Sequence, residues 1–93
     1  MLEADESHVK KEKAAARDLR KSSWWQNLIQ NTSCYYCQKP LEKKNVTMDH
    51  VVPISRGGKS TKGNIVPCCK ICNSKKKDMT IFEWDDYLVK IKG

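Results

Sequence analysis

Two C-x-x-C pairs, Cys34/Cys37 and Cys69/Cys72, frame an aspartate-histidine dipeptide, Asp49-His50, and Asn64, and Asn73 follows directly after the second pair. Paired thiols at this spacing close tight turns around a tetrahedral cation, so the four sulfurs point to a structural zinc ion. That site is complete with its sulfurs. A carboxylate, an imidazole and two amides interleaved with them are surplus to folding, and the chemistry is expected there. A disulfide is the competing use of the cysteines. Against it, the count of five is odd and the start MLEADES is polar and acidic, which reads as an intracellular, cytoplasmic protein whose paired cysteines are metal thiolates.

The elements that must position these groups can be read from pattern. At 93 residues the chain is one domain near the size at which a hydrophobic core alone becomes insufficient, so a metal staple is expected. Residues 4–20 lack Pro and Gly and are rich in Ala, Lys, Glu and Arg, which predicts a helix. Its apolar stripe (Val9, Ala14, Ala15, Ala16, Leu19) is thin, which predicts a solvated helix that frays at its start, with His8 exposed. Ser23 and Gln26, spaced as a capping box, predict a short helix from Trp24 to about Gln30, with one of Trp24 and Trp25 in the core and the other at its edge.

A cysteine knuckle at Cys34–Cys37 follows, then a strand over Asn45–His50. Pro53, Gly57, Gly58 and Gly63 make Val51–Gly63 a loop; a second strand over Asn64–Pro67 and a helix over Lys70–Lys77 complete a hairpin-helix unit. Thr80 and Glu83 form a second capping box, opening a closing helix whose Ile81, Phe82, Trp84, Tyr87, Leu88 and Ile91 recur at near-helical spacing. The fold class is small α+β. The single domain, 1–93, comprises a helical segment (4–31), a zinc-stapled core (33–78) and a C-terminal helix (80–91).

Thirty-one residues separate Cys37 from Cys69, more than the roughly 15 to 20 of common four-cysteine ribbons, so a hairpin is inserted between the knuckles. Cys72 must face the metal, and Asn73, turned about 100 degrees from it on the helix, is directed toward that hairpin. The formal charge of +7 falls to about +5 once a zinc tetrathiolate is counted, and a surplus of this sign most often serves nucleic acid. No apolar run approaches the roughly 20 residues of a membrane span.

The segment MDHVVPISRGGKSTKGNIVPCCKICNSKKK resembles the HNH endonucleases, members of the ββα-metal or His-Me finger nucleases. The resemblance covers about Ser33 to Asp78, and the flanking helices contribute nothing to it. It implies a metal-dependent DNA endonuclease that hydrolyses phosphodiester bonds and leaves 5′-phosphate and 3′-hydroxyl ends. His50 matches the general base, whose Nδ1 would bond a backbone carbonyl and leave Nε2 free to accept. Asn64 matches the residue that braces the loop and orients that histidine. Asp49 and Asn73 match the two protein ligands of one catalytic divalent ion. An asparagine at position 73, where the family name has histidine, marks an HNN variant, and two hard oxygen ligands favour Mg²⁺ or Mn²⁺.

Arg56 and Lys76 fall at family-matching basic positions and, with Lys59 and Lys62, are the expected phosphate contacts. The expected partner is double-stranded DNA, read mainly through its backbone and nicked by a monomer or weak dimer, with weak sequence preference unless a partner protein supplies targeting. A non-catalytic zinc-finger module that binds nucleic acid is the alternative. Cys68, one position out of register, is read as a buried thiol, with competition against Cys69 for zinc left open.

Overall fold

The computed structural model describes residues 4–92. Helix α1 (Glu6–Lys21) starts on Asp5, whose carboxylate accepts from the His8 N–H at 2.8 Å. Ser22 ends α1 through its own N–H, which donates to the Leu19 carbonyl, and opens α2 (Ser23–Leu28) by accepting from the Trp25 N–H at 3.3 Å. The cap is therefore Ser22, one residue earlier than the sequence pattern suggests. Gln26, the other half of the expected capping box, donates instead to the Arg20 carbonyl, because one serine serves both helices and leaves no separate cap to answer.

Two short strands, β1 (Thr32–Ser33) and β2 (Pro40–Leu41), pair antiparallel around the first cysteine knuckle. The knuckle turns through Gln38 at φ 67°, and its side chain donates to the Tyr35 carbonyl. The central hairpin follows: β3 (Val46–His50) pairs antiparallel with β4 (Ile65–Cys69), Val46 opposite Cys69 and His50 opposite Ile65. His50 thus closes the strand where the 51–64 loop departs. Gly58 is packed so closely in that loop that a Cβ would lie 1.8 Å from the Val52 carbonyl oxygen.

Strand alternation divides the hairpin's surroundings. Val46 and Met48 face a cluster of Trp25, Ile29 and Ile65, with Leu19, Trp24 and Leu28 at its margin. Thr47 and Asp49 face α3 (Lys70–Lys76). A second cluster unites Cys34, Cys68 and Cys72 with Trp84 of α4 (Ile81–Lys92). Thr80 and Glu83 make the reciprocal capping bonds at the start of α4. Phe82 and Ile91 are exposed rather than packed; two residues along a helix is about 200 degrees, so Phe82 points away from buried Trp84.

Contrary to the thin stripe in its sequence, α1 is tied down from its start. The Ala4 N–H donates to the Ser55 carbonyl at 3.0 Å, and His8 bonds the Gly58 carbonyl through Nε2 at 2.9 Å. Glu12 and Ala16 are buried. The periodicity misleads because the first half of the buried face is polar, His8 and Glu12, and is satisfied by a loop. Among the described residues no helix is long and apolar enough to cross a membrane.

Candidate active site

The sulfurs of Cys34, Cys37, Cys69 and Cys72 lie within 4.8 Å of one another, and the cluster can hold a metal ion. Each pair is prepared for the charge of thiolates: Cys37 donates its N–H to the Cys34 sulfur, and Cys72 its N–H to the sulfur of Cys69, which is also the N-cap of α3. Burial opposes ionisation of Cys34, but backbone N–H groups of Cys37, Cys69 and Tyr36 outweigh it and bring the thiol down to about 6. Cys68 points the other way. It is fully buried and held well above the usual thiol range by burial first and by the Cys34 thiolate next.

The cysteine cluster sits where α3 begins, with Cys69 as its N-cap, and α3 delivers two side chains to β3. Asn73 donates from Nδ2 to the Thr47 hydroxyl at 3.1 Å, and Thr47 donates in turn to the Cys68 carbonyl at 2.8 Å. One turn later, the Lys76 ammonium meets Asp49 Oδ2 at 3.2 Å and the His50 carbonyl at 3.3 Å. Lys76 has no exposed surface, and its position corrects the expectation of a phosphate contact there: the side chain runs inward, passing 5.5 Å from the Tyr36 ring. Asp49 also accepts a hydrogen bond from the Tyr36 hydroxyl. Burial, and then this bond to a carboxylate, hold the Tyr36 phenol far above its usual range, so it stays a donor.

Asp49 and His50 both line a depression of about 210 Å³ at the loop end of β3, completed by Met48, Pro53, Ile54, Ser55, Lys77 and Asp78. Asn73 is not among its walls; the helix turn carries it to Thr47, one strand repeat back from Asp49. A larger cavity of about 540 Å³ lies across the molecule between the cysteine knuckles and α4, apolar and without either residue. The His50 ring is half-buried and its Nε2 sits 2.9 Å from the Ser60 hydroxyl. Burial lowers its pKa; Asp49 opposes the shift and Arg20 adds to it, so the imidazole is neutral at pH 7. Nε2 is therefore engaged, contrary to the expectation that it is the free nitrogen.

Asn64 spans the loop with both ends of its amide. Its Oδ1 accepts from the Val52 N–H at 2.8 Å, while Nδ2 donates to the carbonyls of Val52 and Lys59 at 3.0 and 2.9 Å. The two ends of the loop are thereby held together directly beyond His50. Arg56 lies within that loop and reaches Glu83 of α4 at 3.0 Å, which ties the closing helix to the loop. Lys59 and Lys62 are exposed, and the Lys62 ammonium stands 5.7 Å over the Trp24 ring. Tyr36 and Ser60 gave no signal in the sequence, and each is brought to Asp49 or His50 by a turn whose path no periodicity encodes.

A hairpin whose terminal histidine opens on a polar depression, backed by a helix that starts at a four-cysteine cluster able to hold a metal ion, is the arrangement of the ββα finger fold. A family model described as HNH endonuclease matches residues 34–84, more than half of the chain. The chain belongs to the HNH endonuclease family. It is similar to the CRISPR-associated endonuclease Cas9 of Corynebacterium diphtheriae, with 38% identity over 56 residues. That match covers 59% of this chain and 5% of the relative's length.

Proposed function

We propose that the chain nicks duplex DNA by hydrolysis, with His50 as general base and with one divalent ion held by Asp49 and Asn73, leaving 5′-phosphate and 3′-hydroxyl ends. The observation that carries this reading is the convergence of Asp49 and a neutral His50 on one depression at the end of β3. A neutral imidazole can take a proton from a water molecule entering that depression, and its fixed ring orients the water toward phosphorus. A carboxylate and an amide oxygen are hard donors of the kind such a cation takes, but Asn73 rests on Thr47 outside the depression and Asp49 Oδ2 is engaged by Lys76 and Tyr36, so holding the ion requires both side chains to turn from these partners. Mg²⁺ or Mn²⁺, when bound, supplies stabilisation of the negative charge that develops on the phosphate and the leaving oxygen.

Asp49 shares its charge with Lys76, which suits a transient ion rather than a resident one. The four sulfurs hold zinc as the permanent ion, so the two metals divide their labour. Lys59, Lys62 and Lys77, exposed around the loop and the depression, are the proposed backbone contacts, with Arg56 contributing from its seat on Glu83. Arg20, close enough to His50 to depress its pKa, joins them at the end of α1. The protein acts as one finger on one strand at a time, within residues 33–78, with the flanking helices as supports.

Supercoiled plasmid incubated with zinc-loaded protein tests this reading. Mg²⁺-dependent conversion to the open circle is expected, absent in His50→Ala. Equal nicking by His50→Ala, or none by the unaltered protein, overturns it and leaves a zinc-finger nucleic-acid module.

A further inference from the structure

Outside the family-matching region, α1 and the residues that lead into it reach the loop beside His50 in four-residue steps. Ala4 bonds Ser55, His8 bonds Gly58, and Glu12 bonds Ser60 twice. At the third step the Ser60 N–H donates to Glu12 Oε1 at 2.6 Å, and the Ser60 hydroxyl lies 2.6 Å from the Glu12 carbonyl oxygen. Both residues are buried, at 7% and 9% exposure, so water does not compete for these bonds. The same hydroxyl is the partner of His50 Nε2 at 2.9 Å.

A serine hydroxyl has one proton. A backbone carbonyl can only accept, so that proton is committed to Glu12, and the remaining Ser60 lone pair faces Nε2. Nε2 must then carry its own proton and donate. In the neutral ring the lone pair is left on Nδ1.

From this geometry, and resting on the reading of His50 as general base, we infer that Glu12 and Ser60 are positioning residues of the active site. Through them α1 selects the Nε2–H tautomer of His50 and makes Nδ1 the atom that accepts the proton of the attacking water. Helix α1 is then a working part of the nuclease and not an appendage to the finger. Without the hydroxyl, nothing on that side decides between the two tautomers, and part of the population carries its proton on the nitrogen that must accept one.

Nitrogen-15 spectra of the imidazole in zinc-loaded, full-length protein, at a pH where the ring is neutral, read the tautomer directly. The expected result is a protonated Nε2 and a bare Nδ1 in the unaltered protein. A mixture of tautomers is expected in Ser60→Ala, with recovery in Ser60→Thr, which keeps the hydroxyl. In plasmid nicking, Ser60→Ala should lose about tenfold or more in kcat with KM for DNA unchanged, a split that a merely structural loss would not produce. Glu12→Ala, which keeps the carbonyl but frees the loop, should shift both readouts in the same direction by less.

A proton on Nδ1 in the unaltered protein, or an unchanged ring in Ser60→Ala, overturns the inference. The first of these is read without any variant, so a Ser60→Ala protein that failed to fold would not shelter it. Nicking by a protein with Nδ1 protonated sinks this inference alone; the stated tautomer without nicking sinks the nuclease reading alone.

Discussion

Neutralising either member of the Asp49–Lys76 pair strands the other in the interior. The ammonium has no exposed surface and the carboxylate side chain is 7% exposed, at a separation of 3.2 Å. At an effective dielectric of about 20, such a pair attracts by about 5 kcal/mol, which offsets the desolvation of two ions. In Asp49→Asn, Lys76 keeps the His50 carbonyl and the Tyr36 ring but no counter-charge. In Lys76→Met, Asp49 keeps only the Tyr36 hydroxyl among these partners. Each single variant should lose about 3 kcal/mol of stability, a large share of what a small domain possesses.

The double variant removes both charges and leaves a neutral amide beside the Tyr36 hydroxyl. It should fall within about 1 kcal/mol of the unaltered protein, giving a coupling energy of about 5 kcal/mol. Urea denaturation of the zinc-loaded protein, followed by circular dichroism without added Mg²⁺, measures all four corners. With a slope of about 1 kcal/mol per molar, each single change moves the midpoint by about 3 M. Additive losses, with the double variant the least stable of the four, would mean that Asp49 and Lys76 do not compensate each other's burial.

Cys34→Ser should lose both metal and fold, since four-cysteine sites contribute about 10 to 16 kcal/mol of apparent binding energy; metal content and circular dichroism should fall together, which His50→Ala should not reproduce. Gly58→Ala should destabilise by about 2 to 4 kcal/mol, because its Cβ would meet the Val52 carbonyl at 1.8 Å and the loop would have to move; thermal unfolding measures it, and an unchanged midpoint contradicts the packing. The lowered pKa of His50 carries a sign. The folded protein favours the neutral ring, so nicking should be level near pH 7 and fall only below the ordinary histidine range of about 6.5, and stability should weaken in the same direction as the unfolded chain takes up the proton first. A nicking rate already falling between pH 8 and 7 would contradict the shift.

Much of this site is legible in the chain because its signals are local. C-x-x-C spacing is a property of one tight turn, capping boxes are four-residue patterns, and Asp49-His50 lie side by side. The four-cysteine cluster, the order of hairpin and helix, the Thr80–Glu83 cap and the burial of Trp25 beside its half-buried neighbour Trp24 all follow from such patterns. Ser22 escaped the reading because two adjacent serines offer the same cap and only the path of α1 chooses between them.

Residue types and spacing determined which atoms are available: four sulfurs, a carboxylate, an imidazole, two amides and a basic surplus. Which of those atoms face one another was decided only by the tertiary structure. Lysine 76 looks in the sequence like one of several surface cations, yet it is buried on Asp49, because the seventh residue of α3 lies over β3 once the cysteines set the helix's start. Glu12 looks like one charge among many on a solvated helix, yet it holds Ser60 against His50 from a distance of 48 residues along the chain. The physical reason is common to both. A polar side chain carries no periodic signature of burial, since what makes burial affordable is a partner far away in sequence, and only the folded chain brings that partner into place.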